Sequence, residues 1–283
     1  MEILRATGLS AEAACRLRLS GGTGRVHSVF SRSMNVELDG LGDRGWLSLH
    51  GPGPIPSPFG IACDARPPTG GLDGASVRIE ATAIALDGRL LVRLEAAGLR
   101  DTTLPTSASV PAIPGCLTRA LAAVSEGLLP VIARLLADAP RPGDPLARAA
   151  YPALAALFAA TRAREAADCV AAARRLLGLG PGLTPAGDDC LVGWLAGAWV
   201  AGPEGRALVE ATAGVLLEAA RTLTGRLSCA FLAAAVSGQA AEPFYGFVST
   251  PDGTHLAHLL ALGATSGADL LGGYLLARAA LSP

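Results

Sequence analysis

Along the first 110 or so residues the apolar positions come in short runs that alternate with polar ones, punctuated by glycine and proline. Arg25–Leu38 (RVHSVFSRSMNVEL) alternates in places, and Trp46–His50 follows a Gly/Asp turn. Ala75–Leu86 and Arg89–Leu94 flank Asp87-Gly88, and an Asp-Gly pair between two strand-like runs predicts a β-hairpin. Gly51–Pro58 reads GPGPIPSP, and its prolines would interrupt either a ladder or a helix. Residues 1–112 are therefore expected to form a β-rich domain.

After a break at Thr106–Pro114 the pattern becomes helical. Cys116–Asp138 is Leu/Ala-rich with an interruption expected at Pro130. Leu146–Ala160, Arg162–Leu177, Asp188–Val200, Arg206–Ala220, Gly225–Val236, Thr254–Leu262 and Gly267–Leu281 follow, with lengths and compositions that suit packed helices. Gly178 sits where a helix C-terminal stop belongs. The expected fold class is α+β: a β-rich domain at 1–112, then an all-α domain at 113–283 with seven to nine helices.

Composition narrows the options. Of 283 residues, 51% are hydrophobic and 17% charged, enough to fill a sizeable core and too apolar for a disordered chain. The net charge of −1 and the absence of a basic cluster argue against a nucleic-acid partner. A mean hydropathy of +0.42 raises the question of a membrane span. The longest apolar candidate, Cys190–Ala201, is bounded by Asp188 and Asp189 before it and Pro203 and Glu204 after it. It falls short of the roughly 20 residues a span needs, so a buried core helix is expected. Glu2, Arg5 and Glu12 break up the N-terminus, which does not read as a signal peptide. The six cysteines form no CxxC pair and suggest reduced thiols in a cytoplasmic protein, with neither a metal site nor a cofactor.

One internal echo matters for function. Gly187–Leu195 (GDDCLVGWL) and Gly267–Leu275 (GADLLGGYL) share the form GxDxxxGΦL, where Φ is aromatic, and Thr184 and Thr265 precede them. Each is a Gly/Thr loop feeding a helix with Asp in its first turn and Gly in the next. Small residues at matching places let helices approach closely, so these two helices are expected to pack together and bring both loops to one place.

The first loop, Gly178–Asp189, reads GLGPGLTPAGDD. Gly180 and Gly182 permit unusual backbone angles, and Pro181 and Pro185 stiffen the loop. A rigid loop at a helix N-terminus offers free N–H groups and partial positive charge to an anion or a carbonyl oxygen. It is not a nucleotide loop of the GK[ST] type. Asp188 and Asp189 repel an anion but accept hydrogen bonds from the –NH2 of an amide-like substrate. A divalent cation bridging them is the other solution, and no clear third ligand accompanies them. The structural alternative, an Asp that only caps the helix, does not require two glycines and two prolines before it. Asp188 and Asp189 are the candidate catalytic carboxylates. Gly182, Thr184 and Gly187 from this loop, and Ser266, Gly267 and Asp269 from the second, are candidate substrate-binding residues. So are Thr224 and Ser228, four apart on one helix face, with Arg221 and Arg226 as the nearest cations; the structural alternative has Thr224 capping a helix at Gly225. His50 adjoins the proline-rich loop and could reach the site. His255 and His258 share a helix face, and Asn35 reads as a satisfied buried amide.

The segments GLGPGLTPAGDDCLVGWLAG, TLTGRLS and LGATSGADLLGGYLLA, together with GRVHSVFSRSMNVEL and LHGPGPIPSPFGI in the first half, resemble the AllH-like family. That family pattern has a serine where this chain has Ala186. The resemblance implies a subunit of oxamate carbamoyltransferase in allantoin (purine) degradation, an enzyme that interconverts oxalurate plus phosphate with oxamate plus carbamoyl phosphate. It also implies FdrA-like and AllG-like partner subunits. Under that reading Asp188 or Asp189 is the base, and N–H or hydroxyl groups of Thr184, Gly187 and Gly267 position a small amide or ureido acid. Two further classes stand beside it: a non-catalytic structural subunit of the complex, and a metal-dependent amide hydrolase.

Overall fold

The computed structural model describes residues 1–109, 112–140 and 143–282. The predicted break at Thr106–Pro114 includes Val110 and Pro111, which lie outside the described residues. The chain divides into two compact units, Met1–Thr103 with Gln239–Pro243, and Leu104–Gly238 with Phe244–Pro283.

The first unit is a β-barrel. Its strands are β1 (Glu2–Ser10), β2 (Thr23–Val29), β3 (Ser33–Leu38), β4 (Trp46–His50), β5 (Gly60–Cys63), β6 (Ser76–Ile79), β7 (Ala83–Leu86), β8 (Leu90–Arg93) and β9 (Gly98–Arg100). They follow the order β5-β4-β3-β2-β6-β7-β8-β1-β9, and a β1–β5 pairing closes the ring. Closure leaves no open edge on the eight strands from β5 to β1. The predicted hairpin is β7–β8: Asp87 and Gly88 both adopt positive φ, as its tight turn requires. Alternation places Leu4, Ala6, Met34, Val36, Leu47, Leu49, Ile84, Leu86 and Val92 in one apolar core.

One helix interrupts this half, α1 (Ala11–Leu19), started by the Ser10 side chain accepting from Ala13 N–H. The alternation reading missed it because AEAACRLRL is short and only weakly amphipathic. Arg16 on α1 is 1% exposed, donates to Glu12 and to the Trp46 carbonyl, and stacks on Phe59 with Cζ 4.4 Å from the ring centre. Asn35 is a satisfied buried amide, bonded to Ser28 and Ser48. GPGPIPSP contains no helix or strand. The unit also holds Glu242, whose carboxylate accepts from Ile55 N–H and Arg100 Nη1, both at 2.8 Å.

The second unit is helical. Ten helices are described: α2 (Ile113–Ala123), α3 (Leu129–Leu136), α4 (Pro145–Ala163), α5 (Ala166–Ala173), α6 (Ala186–Trp199), α7 (Pro203–Leu223), α8 (Arg226–Val236), α9 (Glu242–Ser249, whose first two residues belong to the first unit), α10 (Gly253–Leu260) and α11 (Ser266–Leu281). This exceeds the expected seven to nine. Pro130 does not break a helix but sits in the first turn of α3, so 116–138 holds two helices. The other unforeseen helix is α9, whose EPFYGFVS sequence has poor intrinsic helix propensity and is held by burial of Phe244 and Phe247 against Tyr274. Cys190–Ala201 falls in α6 and the turn after it, where the residues through Ala198 are buried, and none of the described helices is long and apolar enough to cross a membrane. All six cysteines are free, five of them buried.

Candidate functional site

The centre of the helical unit is the α6–α11 pair. A Cβ at Gly193 would collide with the Leu270 carbonyl, one at Gly197 would lie 2.7 Å from the Tyr274 carbonyl, and one at Gly273 would collide with the Cys190 carbonyl. Residues 190–197 thus face 270–277 in order, so the helices run parallel and level with each other. This is also the offset of the sequence echo. The expected meeting of the loops follows: Thr184 Oγ1 and Ser266 Oγ lie 3.5 Å apart.

Parallel packing brings two helix N-termini side by side, and two more arrive beside them. The start of α8 meets the first loop through Ser228, which donates to the Leu183 carbonyl at 3.3 Å. The start of α3 meets α11 through Leu128, whose N–H donates to Asp269 Oδ1. Four partial positive charges thus gather around three buried carboxyls, Asp188, Asp189 and Asp269.

The three carboxyls differ in what holds them. Asp188 is a clasp: Oδ1 accepts from Gly178 N–H at 2.8 Å, Oδ2 accepts from the Thr224 hydroxyl, and Ser228 also bonds the carboxyl. Burial pushes its pKa up, and these hydrogen bonds pull it back. Asp269 binds the start of α3, accepting from the Leu128 and Leu129 N–H groups, with Thr265 also bonding to it; burial still lifts its pKa to about 6. Its Oδ2 has no hydrogen-bond partner, so the Leu128 bond to Oδ1 is the firm one and the Leu129 and Thr265 contacts are weak. Asp189 has the softest hold. It is 6% exposed, is bonded by the Ser266 and Thr184 hydroxyls, and keeps Oδ2 unpartnered. Burial, reinforced by the like charges of Asp269 and Asp188, pushes its pKa up to about 8, so it holds a proton at neutral pH.

Neither Asp188 nor Asp189 caps α6 with its side chain, and Thr224 bonds Asp188 instead of capping α8. The structure brings Asp188, Asp189, Thr184, Thr224, Ser228, Ser266 and Asp269 into one cluster. It gives Gly187 and Gly267 a different position from the one expected. Their N–H groups donate to the Leu179 and Leu262 carbonyls and are not free for a ligand. A Cβ on either would strike a neighbouring carbonyl, Leu176 or Leu259, so both are glycine because backbone passes at contact distance. Gly182, at φ 97° with open space where a Cβ would be, stands at the exposed turn of the loop.

Residues 176–278 match the family model described as oxamate carbamoyltransferase subunit AllH. Over that stretch the chain is similar to AllH. The match contains every carboxyl and hydroxyl of the cluster. No solved structure matches the chain. The sequence pattern did not place α3 at the site because its link to Asp269 is long-range, across 141 positions of chain. A local signal existed in Gly127, at φ 79°, just before the Pro130 helix start.

The histidines contribute less. His50 is buried in the barrel unit and desolvation holds it neutral, its pKa lowered to about 3. His255 bonds Asp252, the cap of its own helix, at 3.0 Å. Among the described residues, no three His, Cys, Asp or Glu side chains gather as metal ligands would.

Proposed function

We propose that this chain is a subunit of a carbamoyltransferase acting on oxamate and oxalurate, or a closely related small amide or ureido acid, in allantoin-derived purine degradation. It works in the cytoplasm with FdrA-like and AllG-like partner subunits, and its β-rich domain (1–112) and helical domain (113–283) are the two working parts. The GLGPGLTPAGDD loop and the Ser266–Asp269 turn together form the amide-binding element.

The observation that carries this reading is Asp189, a buried carboxyl with one open oxygen between hydroxyls from two loops. A carboxyl that keeps its proton offers one donor and one acceptor side by side. That is the complement of a primary amide, whose C=O accepts and whose –NH2 donates. Protonation also removes the repulsion that two bare carboxylates would exert on an anionic substrate, while the helix N-termini attract it. Asp189 therefore binds as an acid at neutral pH, in place of the base role expected from sequence. Asp188, with both oxygens engaged, positions the loop; Thr184 and Ser266 orient Asp189, and Thr224 and Ser228 orient Asp188.

The test is carbamoyl transfer by the complex assembled with its partner subunits, comparing the natural chain with Asp189→Asn. Asparagine keeps the volume but cannot carry or exchange the proton. Transfer should fall by 10²-fold or more, the usual scale for a proton-handling group, in a variant that still folds and assembles. Full transfer in the folded variant would leave the chain a structural subunit.

A further inference from the structure

We infer that Asp189 and Asp269 act as one proton-sharing pair, in which Asp269 is the second, proton-accepting member. The inference rests on the functional reading above and adds to it the identity of the base. Three observations lead to it. The echo GxDxxxGΦL makes Asp189 and Asp269 equivalent positions, each four residues before the glycine where the helices touch. Because α6 and α11 run parallel and level, both carboxyls stand at the same height, one turn above that contact on the same seam. Each is at least 94% buried, and each has its Oδ2 without a partner.

The groups acting on the pair are few. On α6 they are Asp188 and the Cys190 thiol, the latter pushed up by burial and by the charges of both aspartates. From the loops come the Thr184, Ser266 and Thr265 hydroxyls, and from α3 the Leu128 and Leu129 N–H groups. The N–H donors fall on Asp269 alone, which makes it the member that ionises first. Asp189 keeps the proton, in line with its higher pKa.

This division lets one site hold an amide and deprotonate it. As the amide nitrogen forms its C–N bond to the carbamoyl carbon, the carbon–oxygen bond to phosphate breaks and phosphate leaves with the electron pair. The proton lost by nitrogen passes to Asp189 while the proton of Asp189 moves to Asp269. The pair then returns one proton to solvent or to the departing phosphate. Asp269 thus acts through Asp189 as a positioning and relay residue.

The experiment is an aspartate carboxyl-carbon NMR titration of the full chain, without partners, compared with Asp269→Asn. Loss of the neighbouring charge should move the Asp189 midpoint down from about 8 by a unit or more and sharpen a two-step curve to one step. An Asp189 midpoint unchanged in Asp269→Asn overturns the pairing. If Asp269→Asn does not fold, Asp189→Ala is read the other way: Asp269 loses the neutral acid that donates to it, so its midpoint should rise from about 6, and its constancy overturns the pairing equally. The titration needs no catalysis, so it separates the two ideas. Coupled midpoints with full transfer activity in Asp189→Asn leave the pair standing and overturn the functional reading. Uncoupled midpoints with an inactive Asp189→Asn do the reverse.

Discussion

Asp189→Asn should make the protein more resistant to alkaline unfolding even as it removes the proposed chemistry. The Asp189 carboxyl titrates near 8 in the folded chain and near the ordinary 3.8 when unfolded. Below the lower value it is neutral in both states and contributes nothing. Between the two values the folded protein keeps a proton that the unfolded chain has released, so stability falls as pH rises, by about 1.4 kcal/mol per pH unit. From pH 5 to pH 8 this amounts to about 4 kcal/mol, a large part of the stability of an ordinary domain. Asparagine is neutral throughout and lacks this slope. The assay is equilibrium urea unfolding of both proteins at pH 5, 6, 7 and 8, followed by tryptophan fluorescence because Trp194 lies on α6. The midpoint of the natural chain should drop steadily relative to the variant, with Asp269 adding a slope of the same sign to both over the shorter window that ends near pH 6. A difference between the two proteins that stays flat from pH 5 to 8 would show that Asp189 is not held protonated, and the acid role would fall with it.

Three further substitutions address the scaffold. Gly193→Ala forces a methyl into the Leu270 carbonyl across the α6–α11 seam and should destabilise by about 2 kcal/mol despite the better helix propensity of alanine. Gly214→Ala, exposed on α7 with open space around it, should stabilise by about 0.5–1 kcal/mol; equal effects in urea unfolding would refute the close-packing account. Thr161→Val removes the acceptor for Trp194 Nε1–H, now at 2.9 Å, and should cost about 1–3 kcal/mol in the same assay with no shift in the pH slope.

The chain's periodicity alone carried much of the architecture. Alternation with Asp-Gly at the turn is enough to define β7–β8, since the side-chain period of a strand and the φ > 0 demand of its turn are local properties. The echo GxDxxxGΦL likewise disclosed the α6–α11 pairing, because the glycines that allow the contact are visible in the residues themselves. What sequence could not decide was which carboxyl does what. Asp188 and Asp189 are adjacent and chemically identical. Only the arrival of Gly178 N–H and Thr224 at one, and their absence from the other, separates a clasp from an open acid. Gly187 and Gly267 looked like donors because both sit at helix starts. Their N–H groups turned out to be used by Leu179 and Leu262, whose carbonyls reach them only once the loops fold back. Asp269 reads as another helix-start residue until α3, some 140 positions earlier, brings Leu128 N–H to it. Burial and hydrogen-bond partners come from distant chain, and they set the proton affinities on which the chemistry depends.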